Sequence, residues 1–244
     1  MAQTIPTTVR QWNTTDQAGF DSLKVSEQPL GELGDTQVLV KIQGASLNYR
    51  DLIIAMGQYP GGVSPNVVPG SDGAGTVLAV GKNVKRFKVG DKVITLFNQG
   101  HIGEKLGADH IINYNETPEW GDKAKELTGG VGVDHVIEVA GPASMRQSLA
   151  SVKMDGVITI IGFVGGQTKD QPGFLENLTR LCITRGILVG NQSMMEDMCR
   201  AIEANPETLR PVVDPKVFTF DQVKEAYEYQ WSGKHQGKVC IEVN

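Results

Sequence analysis

The chain has 244 residues, of which 40% are hydrophobic and 21% charged, and it carries a net charge of −5. These values describe an ordinary globular protein with room for one large core or two small ones. They exclude two partner classes: there is no basic cluster for nucleic acid, and no apolar run near the ~20 residues a membrane span needs.

The first eight residues hold no apolar signal core, so a secretory leader is not expected, and a cytoplasmic protein is the default. Residues 1–100 read as β-rich. Val38-Leu39-Val40-Lys41-Ile42 follows the turn signal Gly34-Asp35. Gly75-Thr76-Val77-Leu78-Ala79-Val80 is a second β-branched run, and Val93-Ile94-Thr95-Leu96-Phe97 follows Gly90-Asp91. Glycine and proline crowd residues 57–75, which suits irregular loops around a small barrel. After residue 105 the rhythm becomes strand, helix, strand. Residues 110–113 read as a short strand, and 118–127 as a helix with Thr117 as N-cap and Pro118 at the first position. Residues 133–139, 156–162 and 183–189 read as strands, and 143–152 as a helix, which predicts a parallel α/β sheet. Residues 194–203 are helical. Asp221 is expected to cap a helix with Val223, Ala226, Tyr227 and Trp231 on one face, and 238–243 form a closing strand.

Gly129-Gly130-Val131-Gly132 can be mistaken for a nucleotide fingerprint. A fingerprint follows a strand and opens a helix, so that helix N–H groups meet the pyrophosphate. This run follows a helix and enters a strand, so it reads as a plain loop with glycine ending the helix. No G-x-G-x-x-G stands elsewhere in the right context. Cys182, Cys199 and Cys240 are too few and too scattered for a disulfide framework or a metal signature. His101, His110, His135 and His235 are equally scattered. No G-x-S-x-G is present, so hydrolase chemistry has no support.

Taken together, three stretches resemble the medium-chain dehydrogenase/reductase superfamily. They are Val67-Val68-Pro69-Gly70-Ser71-Asp72-Gly73-Ala74-Gly75, Val89-Gly90-Asp91-Lys92-Val93 and Lys105-Leu106-Gly107-Ala108-Asp109. The closest likeness is to the zinc-independent quinone- and enoyl-reductase-like branch. The resemblance implies an α/β fold: a β-rich GroES-like barrel domain and an incomplete Rossmann-type parallel sheet. The barrel domain would be discontinuous, 1–104 and 193–244, around a partial dinucleotide-binding domain at 105–192. In that family a glycine fingerprint sits between the second and third stretches. Here the junction near 101–105 joins them directly. At ~30 residues per βαβ unit, the missing part is on the order of a hundred residues. Without it, the strand at 110–113 is expected to pair beside 133–139.

The resemblance also implies roles. The zinc-dependent branch has a cysteine ligand near Asn48 and a histidine at the place of Ser71. Neither is present here, so no zinc is expected. Asn48 and Asp51 would line the nicotinamide end of the cleft; as plain residues they would be turn formers, with Arg50 paired to Asp51 or Asp72. Tyr59, in Gly57-Gln58-Tyr59-Pro60, would donate a proton while hydride reaches the other carbon of a polarised double bond. A tyrosine, with pKa about 10, can do so without being ionised at neutral pH. Its alternative is a loop tyrosine packed at the barrel mouth. Ala140, Gly141, Gly162, Phe163, Val164 and Asn191 would face the cofactor from strand ends, or would form ordinary βα turns. The implied cofactor is NADP or NAD, the substrate a small carbonyl or alkene compound, and the assembly a homodimer. Two functions stay open: an oxidoreductase of the quinone, enoyl or alcohol type with impaired activity, and a non-catalytic remnant unable to bind cofactor.

Overall fold

β-branched runs, glycine turns and one capped apolar helix organise the first third of the chain. The structure, a computed structural model, describes residues 5–94 and 108–243. β1 (Thr8–Thr14) and β2 (Leu23–Pro29) form an antiparallel ribbon. β3 (Val38–Ser46) follows. Next is α1 (Tyr49–Ala55), a helix the sequence reading lacked. Its five residues from Asp51 to Ala55 are all buried. A segment buried on every side loses the amphipathic period by which helices are read. β4 (Ala74–Val80) and β5 (Lys92–Ile94) pair antiparallel, and β4 also pairs with β3. Gly75 is obligatory on β4: a Cβ there would lie 2.1 Å from the Lys41 carbonyl oxygen.

α2 (Trp120–Leu127) starts two residues later than expected. Thr117 does not cap it; its N–H bonds the Asn113 carbonyl, closing a turn. β6 (Val133–Glu138), α3 (Met145–Ser151), β7 (Val152–Ile160), α4 (Leu175–Arg180) and β8 (Ile183–Gly186) then alternate. β6, β7 and β8 make a three-stranded parallel sheet in that order. The expected strand at 110–113 does not form, and among the described residues β6 has β7 as its sole ladder partner. Asn113 explains part of this. Its carbonyl accepts from Glu116 and Thr117 and its side chain accepts from Asn115, so the turn consumes the end of an already short run. The junction at 101–105 and the end of the run at 93–97 lie outside the described residues.

α5 (Gln192–Ala204) and α6 (Pro206–Leu209) lead to β9 (Phe218–Thr219), α7 (Val223–Trp231) and β10 (Cys240–Glu242). Asp221 does not cap α7. It lies in a short 3-10 turn opened by Thr219 and pairs with Arg10 at 2.8 Å. Val223, Ala226 and Tyr227 are buried as expected, while Trp231 stays 45% exposed.

The chain divides into two compact units, Met1–His101 with Ala201–Asn244, and Ile102–Arg200. The first holds the ribbon and a five-stranded sheet of order β5-β4-β3-β10-β9. Its core joins Leu52 and Ala55 of α1 to Phe218, Ala226, Tyr227 and Ile241 from the chain's end. Each such buried large side chain contributes roughly 1.5–3 kcal/mol. The second unit has a small core of Leu149, Val152 and Ile158. No helix among the described residues is long and apolar enough to cross a membrane.

Candidate functional site

The start of α1 builds the site. Asn48 is the N-cap, in extended conformation, and its N–H donates to Asp51 Oδ2 at 2.8 Å. Asp51 is the third helical residue, where a carboxylate satisfies the cap and meets the positive end of the helix dipole. It is 2% exposed. Burial pushes its carboxyl up to about 6, against the pull of the Ser71 and Asn48 hydrogen bonds. Asp72 adds to the rise, and Arg50 opposes it.

A connected chain leaves Asp51. The Ser71 hydroxyl donates to Asp51 Oδ1. Arg50 Nη1 donates to Ser71 Oγ at 2.9 Å. The Arg50 guanidinium lies 5.0 Å from the centre of the Tyr59 ring, a cation–π contact. Asn48, Asp51 and Tyr59 therefore belong to one network, joined by Arg50 and Ser71. Arg50 was expected beside Asp51 or Asp72; it donates to Ser71, which bonds Asp51, and its charge acts on Asp51.

A second cluster fixes Asn48 from behind. Asp72 accepts from the Ser46 N–H and hydroxyl, both at 2.8 Å, and from Asn48 Nδ2 at 3.0 Å. Lys238 Nζ donates to the Leu47 carbonyl at 3.1 Å and to Asn48 Oδ1. It lies 3.9 Å from Asp72 Oδ2. Burial pulls the Lys238 ammonium below its usual range, with Asp72 and Asp51 acting the other way. Sequence reasoning missed Lys238, because 190 residues separate it from Asn48. It could have found α1: Asn48, Asp51 three residues on and Gly57 beyond the last turn are capping signals, and the structure gives Gly57 the positive φ of a helix end.

Zinc takes cysteine, histidine or carboxylate donors and keeps one position open. Asn48 and Ser71 are not such donors, and the Asp51 and Asp72 oxygens are occupied by hydrogen bonds. Among the described residues no group of three or more His, Cys, Asp or Glu could hold a metal ion. The residues do not fit a catalytic zinc.

In the second unit, Ala140, Gly141, Gly162, Phe163 and Val164 lie at the carboxyl ends of β6 and β7. The two loops are bonded to each other: Val164 N–H donates to the Val139 carbonyl at 3.2 Å and Gly165 N–H to the Ala140 carbonyl at 2.9 Å. A Cβ on Gly162 would meet the Val139 oxygen at 2.5 Å, and one on Gly141 the Gly162 oxygen at 2.9 Å. Glycine is thus required here for loop-on-loop packing, whatever else binds. The buried Glu138 carboxylate anchors the turn, accepting from Gly141 N–H at 2.7 Å, the Ser144 hydroxyl at 2.6 Å and the Ser148 hydroxyl. Asn191, after β8, accepts from Met194 N–H at 3.0 Å and the Ser193 hydroxyl at 2.8 Å. Gly129, Gly130 and Gly132 have positive φ and carry the chain from α2 into β6. The Gly130 N–H bonds back to the Lys125 carbonyl at 2.9 Å, so this run ends a helix.

A β unit carrying the Asn48, Asp51 and Ser71 cluster, completed by strands from the C-terminal part of the chain, with a parallel α/β unit inserted in its sequence, is the arrangement that the resemblance to the medium-chain dehydrogenase/reductases implied. The comparisons agree. Residues 106–241 match the family model described as zinc-binding dehydrogenase, and residues 34–132 match the alcohol dehydrogenase GroES-like domain. A zinc-type alcohol dehydrogenase-like protein of Schizosaccharomyces pombe is 33% identical over 338 positions, covering 93% of this chain and 97% of that protein. That alignment is longer than the 244 residues present here, so the chain is short against this relative. An NADPH-dependent alkenal/one oxidoreductase of Arabidopsis thaliana chloroplasts is 29% identical over 167 positions, 66% of this chain and 43% of that protein. A solved Sinorhizobium meliloti 1021 structure, named as an alcohol dehydrogenase, superposes with a TM-score of 0.84 at 25% identity, covering 98% of this chain and 100% of that one. The chain belongs to the zinc-binding dehydrogenase family of the medium-chain superfamily, and the relatives it matches include proteins named as NADPH- and NAD-dependent oxidoreductases.

Proposed function

We propose that this chain is a zinc-independent member of the family that keeps the substrate end of the site and holds its nucleotide weakly. The observation that carries this reading is the unbroken path from Asn48 through Asp51, Ser71 and Arg50 to Tyr59. It occupies the place where zinc-dependent relatives bind metal, and it ends on a side chain able to donate a proton. A bound nicotinamide nucleotide would supply hydride. The chain's own residues would do the rest. Asp51 anchors Ser71, Ser71 and the Tyr59 ring hold Arg50, and Tyr59 delivers a proton to a small carbonyl or alkene compound. Ala140, Gly141, Gly162, Phe163, Val164 and Asn191 are proposed to flank the nicotinamide. The cytoplasm is the proposed compartment, in keeping with Cys182, Cys199 and Cys240 all being free thiols.

Weak nucleotide retention follows from what is needed to grip a diphosphate: a glycine loop that leaves a strand and opens a helix. The glycine run of the second unit instead leaves α2 and enters β6. The same observation favours a second reading, a non-catalytic relative that has lost the nucleotide.

The test is NADPH titration of the full chain with an α,β-unsaturated ketone, following both thermal stabilisation and nicotinamide absorbance. Slow turnover saturating only at high NADPH is expected, with Tyr59→Phe slower by ~10²-fold or more. Micromolar NADPH affinity overturns the weak-retention claim. No NADPH oxidation at any concentration overturns hydride transfer and leaves the second reading.

A further inference from the structure

β6 ends its sheet: the order is β6-β7-β8, and among the described residues β6 pairs with β7 alone. The run at 110–113, expected on its other side, makes no ladder. Two contacts give the direction of the free groups. The Glu138 carbonyl accepts from Ile161 N–H at 2.9 Å, and the Asp134 carbonyl oxygen lies 3.1 Å from the place of a Cβ on Gly156. Both therefore point toward β7. Backbone direction alternates along a strand, so Val133, His135 and Ile137 turn their N–H and C=O groups away from β7. An edge of this kind is a template for another chain, and proteins guard it with lysine, proline or a cover. β6, Val133-Asp134-His135-Val136-Ile137-Glu138, contains neither lysine nor proline. Val136 packs on the second unit's core, whereas His135 is exposed and Ile137 is 60% exposed.

The strand is complementary to itself. Antiparallel pairing sets outward-turned residues opposite outward-turned residues. With His135 opposite its own counterpart, Val133 of each chain meets Ile137 of the other, and Asp134 meets Val136. A two-residue slip one way sets Asp134 against Asp134, and the other way against Glu138. Like charges directly opposite are destabilising, so both slips are disfavoured.

We propose that β6 pairs antiparallel, edge to edge, with β6 of a second copy of this chain, on a two-fold axis at His135. The interface is isologous, each strand offering the same surface. It needs neither nucleotide nor hydride transfer.

Sedimentation velocity of the full chain tests it. Strands this short bury less than the ~1,200 Å² of a standard interface, so a dimer dissociating between about 1 and 200 µM is expected. Ile137→Lys and His135→Lys, both at exposed positions, should each weaken it about tenfold or more, with thermal unfolding showing that they are folded. His135→Cys sets two thiols opposite each other at a Cα separation of ~5.5 Å, within disulfide reach. Mild oxidation should then link position 135 to position 135, located by peptide mapping, while Ile137→Cys should not link to itself. A monomer across the whole range overturns the proposal. So does a dimer that both folded lysine variants leave intact, as one joined through β8 would be. A dimer weakened by lysine but not linked at 135 overturns the two-fold axis at His135.

Discussion

Replacing Asp51 by Asn should make the protein's stability less dependent on pH. The Asp51 carboxyl is raised from 3.8 to about 6, with burial the largest cause. At ~1.4 kcal/mol per unit, the folded state disfavours the ionised form by about 3 kcal/mol. The sign follows from proton counts. Between the unfolded and folded pKa values the folded protein holds a proton that the unfolded chain has released. Asp51 therefore contributes stability fully present below about 4, lost as pH rises towards 6, and absent above. Asn has the same shape, can still accept the Asn48 N–H, and carries no charge. Chemical denaturation followed by the fluorescence of Trp12 and Trp231, both in the first unit, with Trp120 of the second unit replaced by Phe in both proteins, should show the variant gaining about 2 kcal/mol on wild type between about pH 4.5 and 7.5. Any constant offset from rearrangement around Ser71 cancels in that comparison. Parallel curves for the two proteins across this range would refute the reasoning.

Two further substitutions probe backbone packing and loop anchoring. Gly75→Ala forces a Cβ into the Lys41 carbonyl of the neighbouring strand and should cost roughly 3 kcal/mol or more, seen as a lower denaturation midpoint for the first unit. Glu138→Gln keeps the shape but weakens three hydrogen bonds to one carboxylate; it should cost about 1–3 kcal/mol and speed amide exchange at Gly141 and Ser144, while the Asp51 pH dependence stays unchanged.

The sequence alone determined what depends on local chemistry. β-branched runs marked β3, β4, β6 and β7, and strand–helix alternation marked the parallel sheet, because a strand's composition and bounding turns are written in a few consecutive residues. The order of glycines around 129–132 marked this run as a helix end and not a nucleotide fingerprint for the same reason: a glycine after a helix ends it. The absence of cysteine and histidine near Asn48 and Ser71 argued against zinc through donor chemistry alone.

Tertiary structure decided the rest. Asp51–Ala55 of α1 are all buried and so carry no period to read, and that burial makes Asp51 a perturbed acid, where the sequence left it open between a cleft-lining residue and a turn former. The run at 110–113 had strand composition, yet Asn113 ended it in a turn and the ladder never formed; a strand exists through its partner. Lys238 reaches Asn48 because β10 pairs with β3, and the first unit's core closes because α7 and β10 return to pack on α1 and the sheet of β3 and β4. Contacts between such distant positions are set by packing, which no local pattern of residues records.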